Sequence, residues 1–179
     1  MLSDATFTHR LATRADLPVL HTLMTRSIRR LIRAYLDEAG VEASFEIMGV
    51  DTQLIDDGTY FVIELDAAIV GCGGWSRRAT LFGADHSAGR DARLLDPSTE
   101  PARVRAMYTH PDFVRRGIGR LILDLCEDAA RGHGFTRVEL MGTLAGASLY
   151  AACGYEVLER LSDDRGGVAV PLLRMGKAL

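Results

Sequence analysis

The alternation of apolar and polar residues divides the chain into short segments of two kinds. Near alternation over about four to eight residues is typical of half-buried strands, whereas apolar residues at every third or fourth position indicate a helix with one buried face. Turn-forming residues separate these segments. The pattern predicts strands at residues 7–11, 60–65, 69–76, 104–109, 135–141, 155–160 and 168–175. It predicts helices that begin near residues 13, 37, 120 and 145.

Residues 115–120 read Arg-Arg-Gly-Ile-Gly-Arg and lie between a predicted strand and a predicted helix. The first N–H groups of a helix have no partners within it, and its N-terminus carries roughly half a positive charge. Glycine there lets a phosphate come close, and arginine adds charge-assisted hydrogen bonds. The loop therefore resembles an anion site, although a solvated turn explains the spacing equally well. It lacks the Gly-Lys-Ser/Thr ending of a P-loop and the third glycine of a dinucleotide fingerprint.

The run from strand to helix resembles motif A of the GNAT superfamily of acetyl-CoA-dependent N-acetyltransferases. The loop of that motif reads Gln/Arg-x-x-Gly-x-Gly/Ala, and this chain keeps Gly117 and Gly119 but has Val114 at the Gln/Arg position. The segment ASLYAACGYEV, residues 147–157, resembles the family's later motif, in which a helix ending in Leu-Tyr precedes Gly-Phe or Gly-Tyr. The resemblance covers nearly the whole chain, and it is firm over residues 102–157 and loose before residue 58.

The resemblance implies the fold and the cosubstrate. The fold would be an α+β GNAT fold, with a mixed, mostly antiparallel sheet of about seven strands flanked by about four helices. The fourth and fifth strands would splay apart around acetyl-CoA, within a single N-acetyltransferase domain over residues 1–179. The positions that match the family's cofactor contacts are Met107, Tyr108, Thr109, Arg115, Arg116, Gly117, Ile118, Gly119, Arg120 and Thr143, the last where the family often has asparagine.

The resemblance also implies catalytic positions. Transfer needs a neutral amine, a stabilised oxyanion and a proton for the departing thiolate. Tyr150 occupies the family's acid position, with a packing tyrosine at a helix end as the alternative. Arg103 stands where some relatives have a glutamate base, so we expect Glu139 on the next strand to act directly or through water. An exposed strand carboxylate is the alternative for Glu139.

Two further groups are candidates for acceptor binding. Strict alternation would place Arg103 and Arg105 on one strand face with Met107 and Thr109, where the arginines could hold an anionic group such as a carboxylate. The alternative is that both arginines are ordinary charged side chains exposed to solvent on the strand. Three glycines in Gly71–Trp75 weaken that predicted strand, so something is expected to approach its backbone closely. That is either a packed helix or an acceptor wall on which Trp75 stacks.

Composition narrows the class of protein. The chain has 179 residues, 47% of them hydrophobic, which suits one domain with a sizeable core. A net charge of −3 and a pI of about 5.9 give no overall positive charge that would attract nucleic acid or an anionic membrane. Cys72, Cys126 and Cys153 are odd in number and widely spaced, which predicts reduced thiols and neither a disulfide framework nor a metal site. The first 17 residues have no apolar core of signal-peptide length, so we expect a soluble, cytoplasmic protein.

These observations favour one function and leave two others open. We expect transfer of the acetyl group of acetyl-CoA to a primary amine of a small molecule, directly and in a ternary complex. The alternatives are a protein or peptide N-acetyltransferase and a non-catalytic acyl-CoA-binding sensor. No nucleic-acid or membrane partner is expected, and a homodimer is left open. The long connection over residues 78–101 has no sustained periodicity, and neither a lid nor a disordered segment is assigned to it.

Overall fold

A computed structural model describes residues 6–179 of the chain. The strands are β1 (Thr8–Leu11), β2 (Tyr60–Leu65), β3 (Ala68–Ser76), β4 (Ala102–Thr109), β5 (Arg137–Thr143), β6 (Glu156–Asp163) and β7 (Val170–Ala178). The α-helices are α1 (Leu17–Leu31), α2 (Glu38–Ser44), α3 (Thr52–Asp56), α4 (Ile118–Gly132) and α5 (Ala147–Ala152). All of these strands belong to one seven-stranded sheet in the order β1-β2-β3-β4-β5-β7-β6.

The sheet is mixed, with one parallel pair. Strands β4 and β5 run parallel and are connected through α4, while the other neighbouring strands pair antiparallel. A parallel pair needs such a crossover, because its second strand must start again at the end where the first began. The predicted α+β class and the predicted sheet are confirmed.

The two faces of the sheet carry separate cores. Helices α4 and α5 contribute to one, which includes Ile118, Ile122 and Leu140. Helices α1, α2 and α3 contribute to the other, which includes Leu20 and Leu54. Helix α4 is amphipathic along its whole length, as expected, and its buried apolar residues run from Ile118 to Ala130. The sheet therefore separates two layers of helices, and a gap between strands would connect the two sides.

The glycines of β3 let α4 lie close to the sheet. A Cβ on Gly73 would lie 2.6 Å from Cγ2 of Ile122, and a Cβ on Gly71 would collide with Ile118. Of the two explanations for these glycines, the packed helix is therefore the one the contacts support. Trp75 is 1% exposed and packs against His133 and Phe135, with ring centroids 4.8 and 6.1 Å away. The expectation that Trp75 stacks on an acceptor is wrong, because its ring is buried in the α4 core.

Several element boundaries differ from the prediction. The second helix ends at Ser44 instead of residue 48, and α3 follows as an unpredicted helix of five residues. Strand β6 extends to Asp163 and β7 begins at Val170. Short elements such as α3 carry too few residues for a periodic signal, and Gly49, with φ of +140°, redirects the chain after α2.

The connection between β3 and β4 is folded. Its two arms pair through backbone hydrogen bonds of 2.8 Å from Ala79 to Arg93 and of 2.9 Å from Thr80 to Asp91. Its tip is fastened to the segment after α2, since Asp85 N–H donates to the carbonyl oxygen of Val50 at 2.9 Å. We call residues 77–95 the docked loop. It forms a fixed wall beside the start of β4.

Candidate active site

Strand β4 has a bulge at Ala106. The pairs Arg105–Gly74 and Tyr108–Cys72 leave two β4 residues opposite one β3 residue. Ala106 has φ of +52°, which L residues other than glycine rarely adopt. The hydroxyl of buried Tyr60 donates to the carbonyl oxygen of Ala106 at 2.7 Å and fixes this backbone. Bulges of this kind redirect side chains and are common beside active sites.

The bulge changes which residues share a face of β4. Arg103, Arg105 and Tyr108 pair with alternate residues of β3 and therefore lie on one face. Met107 and Thr109 lie on the other face, toward α4. The prediction that Arg103, Arg105, Met107 and Thr109 share one face is wrong, because period-two alternation stops at Ala106.

Beyond the bulge, β4 and β5 separate. Their parallel pairing ends at Val104 and Leu140, and a cleft of about 430 Å³ opens between their C-terminal halves, bounded by α1, α4 and α5. The predicted cofactor residues that line this cleft are Met107, Tyr108, Thr109, Arg115, Gly117, Ile118, Gly119, Arg120 and Thr143. Arg116 does not line it, because its guanidinium lies over the rings of Phe113 and Phe7, 5.3 and 5.7 Å from their centroids.

The N-terminus of α4 opens into the cleft. Gly117 precedes the helix with φ of +88°, and no side chain caps the first turn. Arg115 also has a positive φ, of +63°. Gly119 allows α5 to pack against α4, since a Cβ there would lie 2.5 Å from Cδ2 of Leu149. Uncapped N–H groups, the positive end of a fifteen-residue helix and two arginines make this end of the cleft suitable for phosphate groups.

A second, smaller cavity of about 90 Å³ lies on the other side of the splayed strands. It shares five residues with the cleft, Met48, Met107, Tyr108, Thr143 and Tyr150. Its other walls come from the segment after α2, from the docked loop and from strands β4, β5 and β7. The residues of these walls include Ile47, Gly49, Leu81, Phe82, Gly83, Arg105, Leu140, Met141 and Leu172. The cleft and the cavity therefore meet where β4 and β5 part.

Tyr150 lies at this junction. Its ring covers the end of β5, because a Cβ on Gly142 would lie 2.8 Å from the ring and one on Gly146 would lie 2.6 Å from it. Burial, with the nearby Cys153 as a smaller cause, raises the pKa of Tyr150 to about 12. Its hydroxyl therefore keeps its proton throughout the physiological range, and we find no hydrogen-bond partner for it among residues 6–179.

Glu139 lies in a different place from the one expected. It is 7% exposed, accepts a hydrogen bond of 2.9 Å from Arg103 Nη1, and pairs with Arg174 at 2.9 Å. Both Glu139 and Arg103 lie outside the linings of the cleft and the cavity. The expected roles of Glu139 as a base and of Arg103 as an acceptor ligand are therefore not supported, because each neutralises the other. Nor is Glu139 the exposed carboxylate of the alternative interpretation.

Among the residues that the structure describes, neither Asp, Glu nor His lines the cleft or the cavity. Arg105 does line the cavity, and it pairs with Asp51. Sequence reasoning missed Asp51 and Arg90, which form a buried cluster with Arg105. No local pattern marks them, since the cluster joins three distant parts of the chain. No group of three or more potential metal ligands occurs in residues 6–179.

Comparisons with known proteins identify the family. The family model described as acetyltransferase (GNAT) family matches residues 25–155, which is more than half of the chain. The chain belongs to the GNAT family of acetyltransferases. It is therefore an acetyltransferase, with acetyl-CoA as its cosubstrate. No curated protein matches it by sequence.

Solved structures support the same fold. A GCN5-related N-acetyltransferase titled aminotransferase, class-II, from Rhodopseudomonas palustris is 20% identical, with 97% of this chain and 96% of that one covered at a TM-score of 0.73. The PaiA N-acetyltransferase from Thermoplasma acidophilum, in complex with coenzyme A, is 14% identical (97% and 99% covered, TM-score 0.65). A ribosomal-protein-alanine N-acetyltransferase from Brucella melitensis is 20% identical (96% and 99% covered, TM-score 0.64).

Acetyl-CoA suits the cleft in three respects. The uncapped start of α4 with Arg115 and Arg120 suits the diphosphate. The gap between β4 and β5 is open to an extended chain that pairs with strand backbone, as the pantetheine arm can. Tyr150, whose raised pKa keeps its hydroxyl protonated, lines the cleft where it meets the cavity. Within residues 6–179 no helix is both long and apolar enough to cross a membrane. The prediction that the first 17 residues are not a signal peptide falls partly on residues 1–5, which lie outside the described residues.

Proposed function

We propose that the protein is a single-domain, cytoplasmic N-acetyltransferase that moves the acetyl group of acetyl-CoA to a primary amine of a small molecule. Transfer is direct, with both substrates bound in a ternary complex. The acetyl donor occupies the cleft and the amine occupies the 90 Å³ cavity on the opposite side of the splayed strands. The observation that carries the choice of a small acceptor is the small volume of this cavity, about 90 Å³.

The connection between β6 and β7 packs against α2 and the docked loop. Gly166 lies so close to α2 that a Cβ there would be 2.6 Å from Cα of Ala43. Arg165 Nη1 donates to the carbonyl oxygen of Ala88 at 2.6 Å, and its guanidinium lies 5.3 Å from the ring centroid of Phe82. The β6–β7 connection thus bridges α2 and the docked loop. Of the residues it contacts, Phe82 lines the cavity.

The size of the cavity agrees with a small acceptor. A cavity of about 150 Å³ holds benzene, which has six non-hydrogen atoms. On that scale about 90 Å³ accommodates about four non-hydrogen atoms. An amine of that size can enter whole, whereas a peptide must leave most of its length outside.

The chain's own residues would divide the work as follows. Bound acetyl-CoA supplies an acetyl group activated as a thioester. The N–H groups at the start of α4, with Arg115 and Arg120, hold the diphosphate. Tyr150 holds a proton at its hydroxyl and donates it to the departing thiolate sulfur. Since no carboxylate or imidazole of residues 6–179 lines either space, the amine arrives neutral or releases its proton to water.

A protein or peptide acceptor is the second candidate. It is supported by the Brucella melitensis neighbour, whose name states a ribosomal-protein-alanine substrate. An acyl-CoA sensor is the third candidate. A sensor needs the cleft but not a proton donor, and the position of Tyr150 at the junction favours an enzyme over it.

An acceptor screen tests the proposal. The protein would be incubated with acetyl-CoA and separate pools of small primary amines and unstructured peptides, and products would be measured by mass spectrometry against hydrolysis without acceptor. We expect acetylated small amines above that baseline. Acetylated peptides without any acetylated small amine would instead support the protein modifier. Tight binding of acetyl-CoA without any acetylated product would support the sensor.

A further inference from the structure

Arg105 is an unusually buried arginine for a side chain that lines a cavity. It is 5% exposed, and burial is the largest cause lowering its pKa below the usual arginine value. A guanidinium in such a place is costly unless its N–H groups have partners. Its position on β4 places it beside the bulge, on the same face as Tyr108. The partners of its N–H groups therefore show what the site is built to bind.

The Nη2 group of Arg105 contacts two other residues of the protein. Its Nη2 donates to the carbonyl oxygen of Gly83 at 2.6 Å and lies 2.7 Å from Oδ2 of Asp51, at ion-pair distance but without hydrogen-bond alignment. Arg90 makes the same two contacts from outside the cavity, to Gly83 O and to Asp51 Oδ1, both at 2.9 Å. Arg105 and Arg90 thus hold the cavity wall at Gly83 in place.

The Nε of Arg105 has no partner among the residues that the structure describes, although it is buried. A buried donor without a partner is energetically costly, so native structures retain few of them. The Nε of Arg103 is also unpartnered, but Arg103 does not line the cavity. Arg105 is therefore the residue at which a bound acceptor can complete an unfinished set of hydrogen bonds.

We infer that the acceptor is a short primary amine carrying a neutral oxygen, a hydroxyl or an amide carbonyl, that accepts a hydrogen bond from the guanidinium of Arg105. A carboxylate is the poorer fit, because it seeks two donors of one guanidinium and Nη2 is already engaged. This inference rests on the proposed function and specifies the acceptor of the same cavity.

A pair of isosteric amines provides the test. Ethanolamine and n-propylamine each have four non-hydrogen atoms and differ in one hydroxyl in place of a methyl group. The kcat/KM of each would be measured with saturating acetyl-CoA and expressed per concentration of neutral amine, since the two amines differ in pKa. We expect wild-type enzyme to favour ethanolamine at least about tenfold, since a site with an unpaired donor discriminates against an analogue without the acceptor. Glycinamide and glycine form a second pair, in which glycinamide should be preferred.

Two matched variants assign the preference to Arg105. Arg105→Lys keeps a positive charge beside Asp51 but removes the guanidinium, and we expect it to reduce the ethanolamine preference to about threefold or less without changing the KM for acetyl-CoA. Arg103→Lys makes the same change in an arginine on the same face of β4 that does not line the cavity, and it should keep the wild-type preference. Thermal unfolding would check that both variants fold.

The outcomes separate the inference from the function it rests on. Equal wild-type kcat/KM for ethanolamine and n-propylamine, or a preference for glycine over glycinamide, would overturn the inference while leaving small-amine acetylation intact. An unchanged preference in a folded Arg105→Lys enzyme would overturn it too. If no small amine is acetylated above hydrolysis, the proposed function fails instead. The wild-type comparison decides the matter even if Arg105→Lys does not fold.

Discussion

Tyr150 combines a fixed ring with an unengaged hydroxyl at the point where the cleft and the cavity meet. The two glycines under its ring leave it no room to move toward β5. Its neighbour Tyr155 is placed differently, since the Tyr155 hydroxyl donates to buried Glu127 at 3.1 Å. The centroids of the two rings are 6.1 Å apart. The two tyrosines can therefore be compared directly, since the hydroxyl of Tyr150 is available for chemistry and that of Tyr155 is structural.

Replacing Tyr150 by phenylalanine should lower kcat by about 10² to 10⁴, because the packing surface stays and only the donor is removed. Affinity for acetyl-CoA, measured by calorimetric titration, should remain nearly unchanged. In the matched variant Tyr155→Phe we expect the reverse, a loss of about 1–3 kcal/mol of unfolding free energy with kcat retained. Wild-type kcat in Tyr150→Phe, measured where chemistry limits turnover, would exclude the acid role.

The pH dependence of kcat/KM should follow the amine and not the protein. No carboxylate or imidazole of the described chain lines the reaction space, so the acidic limb reports the ionisation of the acceptor. The pKa of Tyr150, at about 12, places its own ionisation above the working range, and activity should not fall on the alkaline side before the fold is affected. Two accepted amines with different pKa values should shift the acidic limb by that difference. A limb fixed near one pH for both amines would indicate a protein base.

Gly117 offers a test of the phosphate end of the cleft. Both Asn and Asp tolerate a positive φ, and nothing lies within 4 Å of a Cβ at this position. Gly117→Asp should therefore weaken acetyl-CoA binding at least about tenfold more than Gly117→Asn, since only Asp adds a negative charge beside the diphosphate. Titration at two salt concentrations measures it, and the difference should shrink as salt rises. Equal affinities for the two variants would place the diphosphate elsewhere.

At the scale of elements, β3 and α4 depend on each other through the glycines of β3. Gly73→Ala would bring a Cβ to 2.6 Å from Ile122 and 2.8 Å from Met107, so we expect a loss of about 1–3 kcal/mol of unfolding free energy. Because Met107 lines both the cleft and the cavity, activity should fall as well. Gly132→Ala is the control, with nothing near its Cβ, and it should be neutral or stabilise by up to about 1 kcal/mol. Urea unfolding of the two variants would contradict the packing argument if their losses were equal.

Elements with a local signal were predictable from the sequence. The β2–β3 hairpin is one, since Asp66 and Ala67 form the predicted turn with positive φ values of 49° and 63°. The α4 helix and its glycine loop are another, because amphipathic spacing and the motif coincide there. Most of the predicted cofactor positions consequently line one cleft. The prediction succeeded wherever neighbouring residues alone determine the backbone.

Features that depend on distant partners were not predictable. The bulge at Ala106 is held by Tyr60, 46 positions away, and alanine gives no local sign of a positive φ. For that reason alternation misplaced Met107 relative to Arg105. Likewise, Glu139 was chosen as a base by its strand position, but Arg174, 35 positions away, engages it in an ion pair. Tertiary contacts decide both cases.

At the scale of the whole molecule, both cores contain ionisable groups held neutral by burial. Burial raises the pKa of Cys72 to about 12 and raises those of Cys126, Tyr60 and Tyr108 as well. The ordinary value for a thiol is 9.0. In the unfolded chain these groups release their protons first, so the unfolded state binds fewer protons once the pH exceeds about 9. Stability is therefore fully present below that pH and is lost as pH rises toward the folded pKa values.

We therefore expect the unfolding free energy to fall between about pH 9 and pH 11, by about 1.4 kcal/mol per pH unit for each fully titrating group. Urea unfolding under reducing conditions, followed by the fluorescence of buried Trp75, measures it. Cys126→Ala lowers the unfolding free energy at every pH by leaving a cavity, but that loss does not depend on pH. The slope of the unfolding free energy against pH therefore reports the ionisation of the Cys126 thiol alone. The slope of the variant should be shallower by about 1.4 kcal/mol per pH unit above pH 9. Parallel slopes for the two proteins would mean that Cys126 ionises in the folded state as readily as in the unfolded chain.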